Sequence, residues 1–361
     1  MMSDVFVIGA GCSVPYGFPT GAMLMQKLKN FDYKDRIEYK AQHLLDRHYL
    51  FDLYPERLRI TFDEYGEKAR QIDGYYSSLN FEKQTINSII SSTVKDFAKS
   101  IRHSMMVSTD EFLKNRLGQK QNEQADFGKR LIAYEILKAE QESTKPLKDK
   151  WLGNIDWIQH LLSRIDQQDN WEEILKQTVL LTFNYDRVLE YCIFLYLTSD
   201  KQYADADAHA FIKDMKIFHV NGFIGSLEKI PFGAVGNGKY QEIAKRMETV
   251  WEKREKHDES EKEKYQGFLK NAQRVYFMGF SYIPGNLESI GIPRGAEIIR
   301  NAKVYATAVG LSPQNRLRIS TYLDLKDFEK RNEPEPMPEI ENRILKDASA
   351  VDLILDYYTL A

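Results

Sequence analysis

The chain has 361 residues, of which 43% are hydrophobic and 12% aromatic, enough to bury a sizeable core and to argue against global disorder. Its 50 basic and 53 acidic residues give a formal net charge of −3, without the basic excess that marks nucleic-acid binders. Two cysteines, Cys12 and Cys192, are too few for a disulfide framework or a four-cysteine zinc site.

No basic-then-apolar leader precedes the first strand pattern, and no apolar run nears the ~20 residues that span a bilayer. A cytoplasmic protein with no membrane segment and no metal is the expectation.

In chain order the first element is VFVIG (Val5 to Gly9), an apolar run that is continuous rather than alternating, as in a parallel strand covered on both faces. It runs into GAGCSVPYGFPTG. Gly9 and Gly11 allow close backbone approach to a pyrophosphate, free N–H groups and a helix N-terminus favour negative charge, and Ser13 adds a hydroxyl donor. Thr20 is placed to cap a helix with Leu24, Leu28 and Phe31 on one face. The plainer alternative is a glycine-rich turn with no ligand. This is no dehydrogenase fingerprint, because Val14 stands at the third glycine position of G-x-G-x-x-G; nor is there a G-x-x-x-x-G-K-[ST] run for an ATPase.

The next ~140 residues read as helix. Ile86, Ile89, Ile90, Val94, Phe97 and Ile101 keep helical spacing, as do Ile158, Leu161, Leu162 and Ile165, and both stripes are read as core. A large helical insertion, residues 31–170, is therefore expected between the first two motif strands. It would split a Rossmann-like α/β domain of residues 1–30 and 171–320 built on a parallel sheet.

Four more strands follow: TVLLTF (Thr178 to Phe183), KIFHV (Lys216 to Val220), RVYFMG (Arg274 to Gly279) and KVYATAV (Lys303 to Val309). Ligands of open α/β sheets bind outside the carboxyl ends of such strands. EKREKHDESEKEK (Glu252 to Lys264) reads as a solvated helix face or loop, and NEPEPMPE (Asn332 to Glu339) as a stiff connector. Residues 321–361 form a C-terminal tail whose AVDLILDYYTL is apolar enough to dock on the body or on another subunit.

Two strand ends carry chemistry. TFNYDRVLEY sets Thr182, Asn184 and Asp186 after a buried strand; helix capping alone would explain one of the last two. KIFHVNGFIG offers His219, the one histidine of seven at a strand end and the best candidate base.

The glycine run with Gly9-Ala10-Gly11, Ser13 and Gly17-Phe18-Pro19, the T-x-N-x-D spacing, the histidine-bearing strand end and the later GFS (Gly279 to Ser281) resemble, in the same order, the signatures of the sirtuin superfamily. These blocks span about 60 residues. The variant H-x-[YN]-G with FNYDR-x-LE upstream resembles a bacterial branch linked to antiphage defence. The sirtuin histidine directly precedes a glycine; here Asn221 holds that place and His219 sits two residues earlier, so either could face a ribose.

The resemblance implies NAD+ as substrate and hydrolysis at the nicotinamide–ribose bond. Asn184 would orient the ribose hydroxyls and the attacking water, and His219 would accept a proton. Asp186 would hold the nicotinamide carboxamide, and Gly9, Ala10, Gly11 and Ser13 the pyrophosphate. Thr182, Asn221, Gly279 and Ser281 complete the nucleotide contacts, with Asn286 a further candidate. With no zinc-module cysteines, water is favoured over acyl-lysine as acceptor, so a deacylase ranks below a hydrolase. A non-hydrolysing NAD+ or ADP-ribose sensor is the alternative. The resemblance also implies a homo-oligomer and a defence partner such as a HerA-type ring ATPase.

Overall fold

The computed structural model describes residues 3–30, 96–106, 108–149, 156–235, 240–247, 259–292, 297–328 and 342–359. Ile86, Ile89, Ile90, Val94, Phe31 and the NEPEPMPE connector lie outside them.

Among the described residues seven strands form one all-parallel sheet: β1 (Ser3–Ile8), β2 (Val179–Thr182), β3 (Lys216–His219), β4 (Ala272–Met278), β5 (Lys303–Thr307), β6 (Lys326–Phe328) and β7 (Arg343–Lys346). Their order is β3-β2-β1-β4-β5-β7-β6. Each of the five apolar runs is a strand, within a residue or two of its ends. From β1 the chain steps outward through β2 and β3, then returns to the other side of β1 with β4. The order thus reverses between β1 and β4, the kind of place where open α/β sheets bind ligands.

Alternate side chains of the strands serve two separate cores, as the two-residue period requires. Phe6, Ile8, Leu180, Tyr276, Met278 and Tyr305 face one core; Val5, Val7, Val179, Leu181, Val275 and Phe277 face the other. This explains why the runs are continuously apolar. The arrangement is a Rossmann-like α/β fold with helices on both faces.

Between β1 and β2 every described element is helical: α1 (Gly21–Lys29), a run at 96–102, α2 (Thr109–Gly118), α3 (Asn122–Asp149), α4 (Trp157–Asp166) and α5 (Trp171–Gln177). Phe97, Ile101, Ile158, Leu161, Leu162 and Ile165 are all buried, in the same core as Phe6 and Tyr276. These helices therefore cover one face of the sheet instead of building a core of their own.

α6 (Val188–Leu195), α7 (Asp205–Asp214), α8 (Tyr240–Arg246) and α12 (Ala350–Tyr357) share that face, while α9 (Glu259–Lys270), α10 (Pro284–Ser289) and α11 (Pro313–Leu323) contribute to the opposite core.

Of the described residues after 320, those of β6 and β7 belong to the sheet and α12 packs against it. Short, charge-containing strands such as RILK carry too little periodic signal to read from sequence. α12 opens with a capping box between Ser349 and Asp352. Beyond it, Tyr358 packs edge-on to Phe6 at 5.6 Å and to Tyr276 at 5.8 Å, and Arg164 donates to the carbonyls of Leu355 and Tyr358. The apolar tail docks on its own body. Among the described residues no helix is long and apolar enough to cross a membrane.

Candidate functional site at the carboxyl edge

Register builds the site. Ile8 pairs with Thr182 on one side and Met278 on the other, and Thr182 pairs with His219. Four strands therefore end in a row, and the turns that follow them meet.

The first turn is more self-contained than expected. Instead of feeding a helix directly, β1 leads into two short 3-10 turns, Ala10–Cys12 and Val14–Tyr16, before Thr20 caps α1 by accepting from the Met23 N–H. The N–H groups of Gly11, Cys12 and Ser13 donate to the carbonyls of Gly279, Gly9 and Ala10 at 3.0–3.1 Å. The expected free N–H groups are thus engaged at these three positions: the 3-10 turn closes its own hydrogen bonds at Cys12 and Ser13, and the turn after β4 accepts from Gly11.

The glycines have a local reason as well. A Cβ on Gly9 would lie 2.7 Å from Phe280 Cα and closer still to the Gly279 carbonyl oxygen; one on Gly11 would lie 2.9 Å from Gly279 Cα. Gly279 itself has φ +54°. Close backbone approach is what these residues allow, but the partner is the turn after β4.

The helical stretch braces the same turn. Tyr16 donates to Asp156 Oδ1 at 2.6 Å, Trp157 Nε1–H to the Cys12 carbonyl at 3.0 Å, and the Ser143 hydroxyl to the Tyr16 carbonyl at 2.5 Å.

The turn after β2 carries a buried polar network. Asn184 Nδ2 donates to Ser13 Oγ at 2.8 Å and to the Gly9 carbonyl at 3.2 Å; Ser13 Oγ in turn donates to Asp186 Oδ1 at 3.2 Å. Thr182 Oγ1 accepts the Asn184 N–H, and Asp186 Oδ1 accepts the Val188 N–H that starts α6. Asp186 therefore both receives the first N–H of α6 and belongs to the network. Burial pushes its carboxyl up to about 7, against the lowering effect of the Ser13 and Val188 donors; Glu190 and Glu140 push the same way as burial.

His219, at the end of β3, uses both ring nitrogens. Nδ1 lies 2.9 Å from the Asn184 main-chain carbonyl and Nε2 lies 2.6 Å from Glu190 Oε1, while Phe223 stacks on the ring at 4.5 Å. Burial pulls the imidazole pKa down; Glu190, the Asn184 carbonyl and Asp186 outweigh it, and the net direction is upward.

Three buried oxygens of this neighbourhood have no hydrogen-bond partner: Asn184 Oδ1, Glu190 Oε2 and Asn221 Oδ1. Orphaned acceptors are costly in a folded protein and point to a donor supplied by water or ligand.

The structure thus brings Gly9, Ser13, Thr182, Asn184, Asp186 and His219 into one constellation, with Gly11 and Gly279 against each other beside it. Ala10 supplies the carbonyl that closes the first 3-10 turn. Asn221 is buried two residues past His219, whereas Ser281 is exposed and pairs with Asn286. Sequence reasoning missed Glu190 and Arg187. Glu190 is the one acid in the apolar helix VLEYCIFL, which is a legible signal. Arg187 is fully buried in a 2.6 Å ion pair with Glu140 of α3, and also donates to the carbonyls of Gly225 and Ile230 in the segment after β3. Nothing local in the sequence reports that pairing.

Among the described residues no group of His, Cys, Asp or Glu could hold a metal ion. Both cysteines are buried free thiols, and burial raises the pKa of each. Comparisons with protein-family models, with curated proteins and with solved structures find no match.

Proposed function

We propose that this chain binds NAD+ at the carboxyl edge of the sheet and hydrolyses its nicotinamide–ribose bond. The observation that carries the proposal is the buried Ser13–Asn184–Asp186 network at the in-register ends of β1 and β2, with Asn184 Oδ1 left without a donor. A ribose hydroxyl or an attacking water is a donor of the right kind.

NAD+ plus water gives ADP-ribose, nicotinamide and a proton. Nicotinamide leaves as a neutral base and needs no acid, so the demand falls on orienting the ribose and stabilising an oxocarbenium-like cation. Asn184, anchored through Nδ2 by Ser13 and Gly9, presents an amide oxygen to that task. Asp186, with a carboxyl titrating at about 7, is suited to a carboxamide in either protonation state.

Nicotinamide release from NAD+ by the purified chain, followed chromatographically, tests the reading; Asn184→Ala should lower release sharply. If NAD+ binds and no nicotinamide appears, a non-hydrolysing NAD+ or ADP-ribose sensor replaces the hydrolase. The engagement of both His219 nitrogens, by the Asn184 carbonyl and by Glu190, favours that second reading. The sirtuin-like motifs extend the hydrolase reading to a bacterial antiphage effector that depletes NAD+, acting as a homo-oligomer beside a HerA-type ring ATPase or another defence partner. Light scattering of the chain alone and with such a partner reads that assembly.

A further inference from the structure

We propose that Glu190 is a positioning residue of this site: it holds His219 as an imidazolium that donates from both ring nitrogens, so that His219 fixes the Asn184 peptide and takes no proton from the substrate. The inference rests on the NAD+ reading only for its catalytic consequence; the protonation state stands by itself.

Three observations carry it. The Asn184 main-chain carbonyl, 2.9 Å from Nδ1, can only accept, so Nδ1 carries hydrogen. Nε2 faces a carboxylate oxygen at 2.6 Å, the short separation of a charge-assisted bond. Both partners are withdrawn from water, with side chains 6% and 9% exposed, so the pair is held rather than screened. The ring is fixed further by Phe223, stacked at 4.5 Å and 14°.

The charged group in contact with the ring is Glu190, from α6; the Asp186 carboxyl, from the turn after β2, acts on it at longer range and in the same direction. The two bonds of His219 therefore connect α6 to the main chain of the residue whose side chain carries Asn184 Oδ1. Rotation of that peptide would move the amide, which makes the dyad a brace for Asn184.

The test is nitrogen NMR of the full chain labelled at histidine. The wild-type spectrum should contain one ring with hydrogen on both nitrogens through neutral pH. Phe223→Leu assigns it, because loss of the stacked aromatic shifts the His219 resonances without removing a hydrogen-bond partner. In Glu190→Gln the same ring should titrate at lower pH, and nicotinamide release should lose kcat with KM little changed. If His219 shows one bare ring nitrogen at neutral pH in the wild type, the inference is overturned, and that measurement needs no folded variant of Glu190. An unchanged titration in Glu190→Gln overturns it too. Absence of nicotinamide release in the wild type would remove the NAD+ hydrolase while leaving the imidazolium in place.

Discussion

The turns after β1 and β2 lie side by side at one sheet edge, yet they use their polar groups in opposite ways. After β1, the Gly11, Cys12 and Ser13 N–H groups meet carbonyls within the protein, and the glycines are explained by backbone packed on backbone. After β2, Asn184 in the turn and Glu190 in the helix it leads into, α6, each leave a buried oxygen without a donor. A glycine-rich loop can thus be mainly structural while the less conspicuous turn beside it holds the unsatisfied chemistry. Substitutions in the first should act on stability, and at the unsatisfied side chain of the second, Asn184, on activity.

The largest effect on folding should come from the part of the second turn that is fully compensated. Glu140→Ala leaves the buried Arg187 guanidinium without its carboxylate, and a loss of about 3–5 kcal/mol is expected in chemical denaturation. A loss under about 1 kcal/mol would show that the pair is open to water.

Asn184→Ala comes next. Nicotinamide release should fall by roughly 100-fold or more, as for loss of one preorganised polar group, while stability changes by only about 1 kcal/mol. A large stability loss with activity retained would reverse the contrast between the turns.

Gly9→Ala should do the opposite, costing about 1–3 kcal/mol as the turn after β4 is pushed away, with NAD+ affinity of the folded fraction little altered. Isothermal titration beside a thermal melt separates the two effects; weakened NAD+ binding at unchanged stability would make this loop a ligand site after all.

The smallest effect is a pH dependence. In the fold, the Asp186 carboxyl is raised from 3.8 to about 7. The folded chain therefore keeps a proton that the unfolded chain releases, so this contribution to stability is whole below about 4 and lost as pH rises through about 7. His219, also raised, acts in the same direction. Asp186→Asn should flatten the fall in Tm between pH 5 and pH 8 by on the order of a few °C.

The sequence alone determined the fold class, because the middle of a parallel strand buried on both faces is apolar at successive positions, as in VFVI of β1, VLL of β2, VYFM of β4 and VYA of β5. It also marked Asn184, Asp186 and His219, since polar groups directly after such strands stand out. Tertiary structure decided the rest, for reasons of distance. The Ser13–Asp186 bond joins residues 173 apart and the Arg187–Glu140 pair residues 47 apart, neither with a local pattern to announce it. The glycines looked like a phosphate cradle because only packing reveals that the turn after β4 approaches them. β6 and β7 were hidden because KDF and RILK place charged residues beside one or two apolar ones, with no extended apolar run or alternation around them to mark a strand.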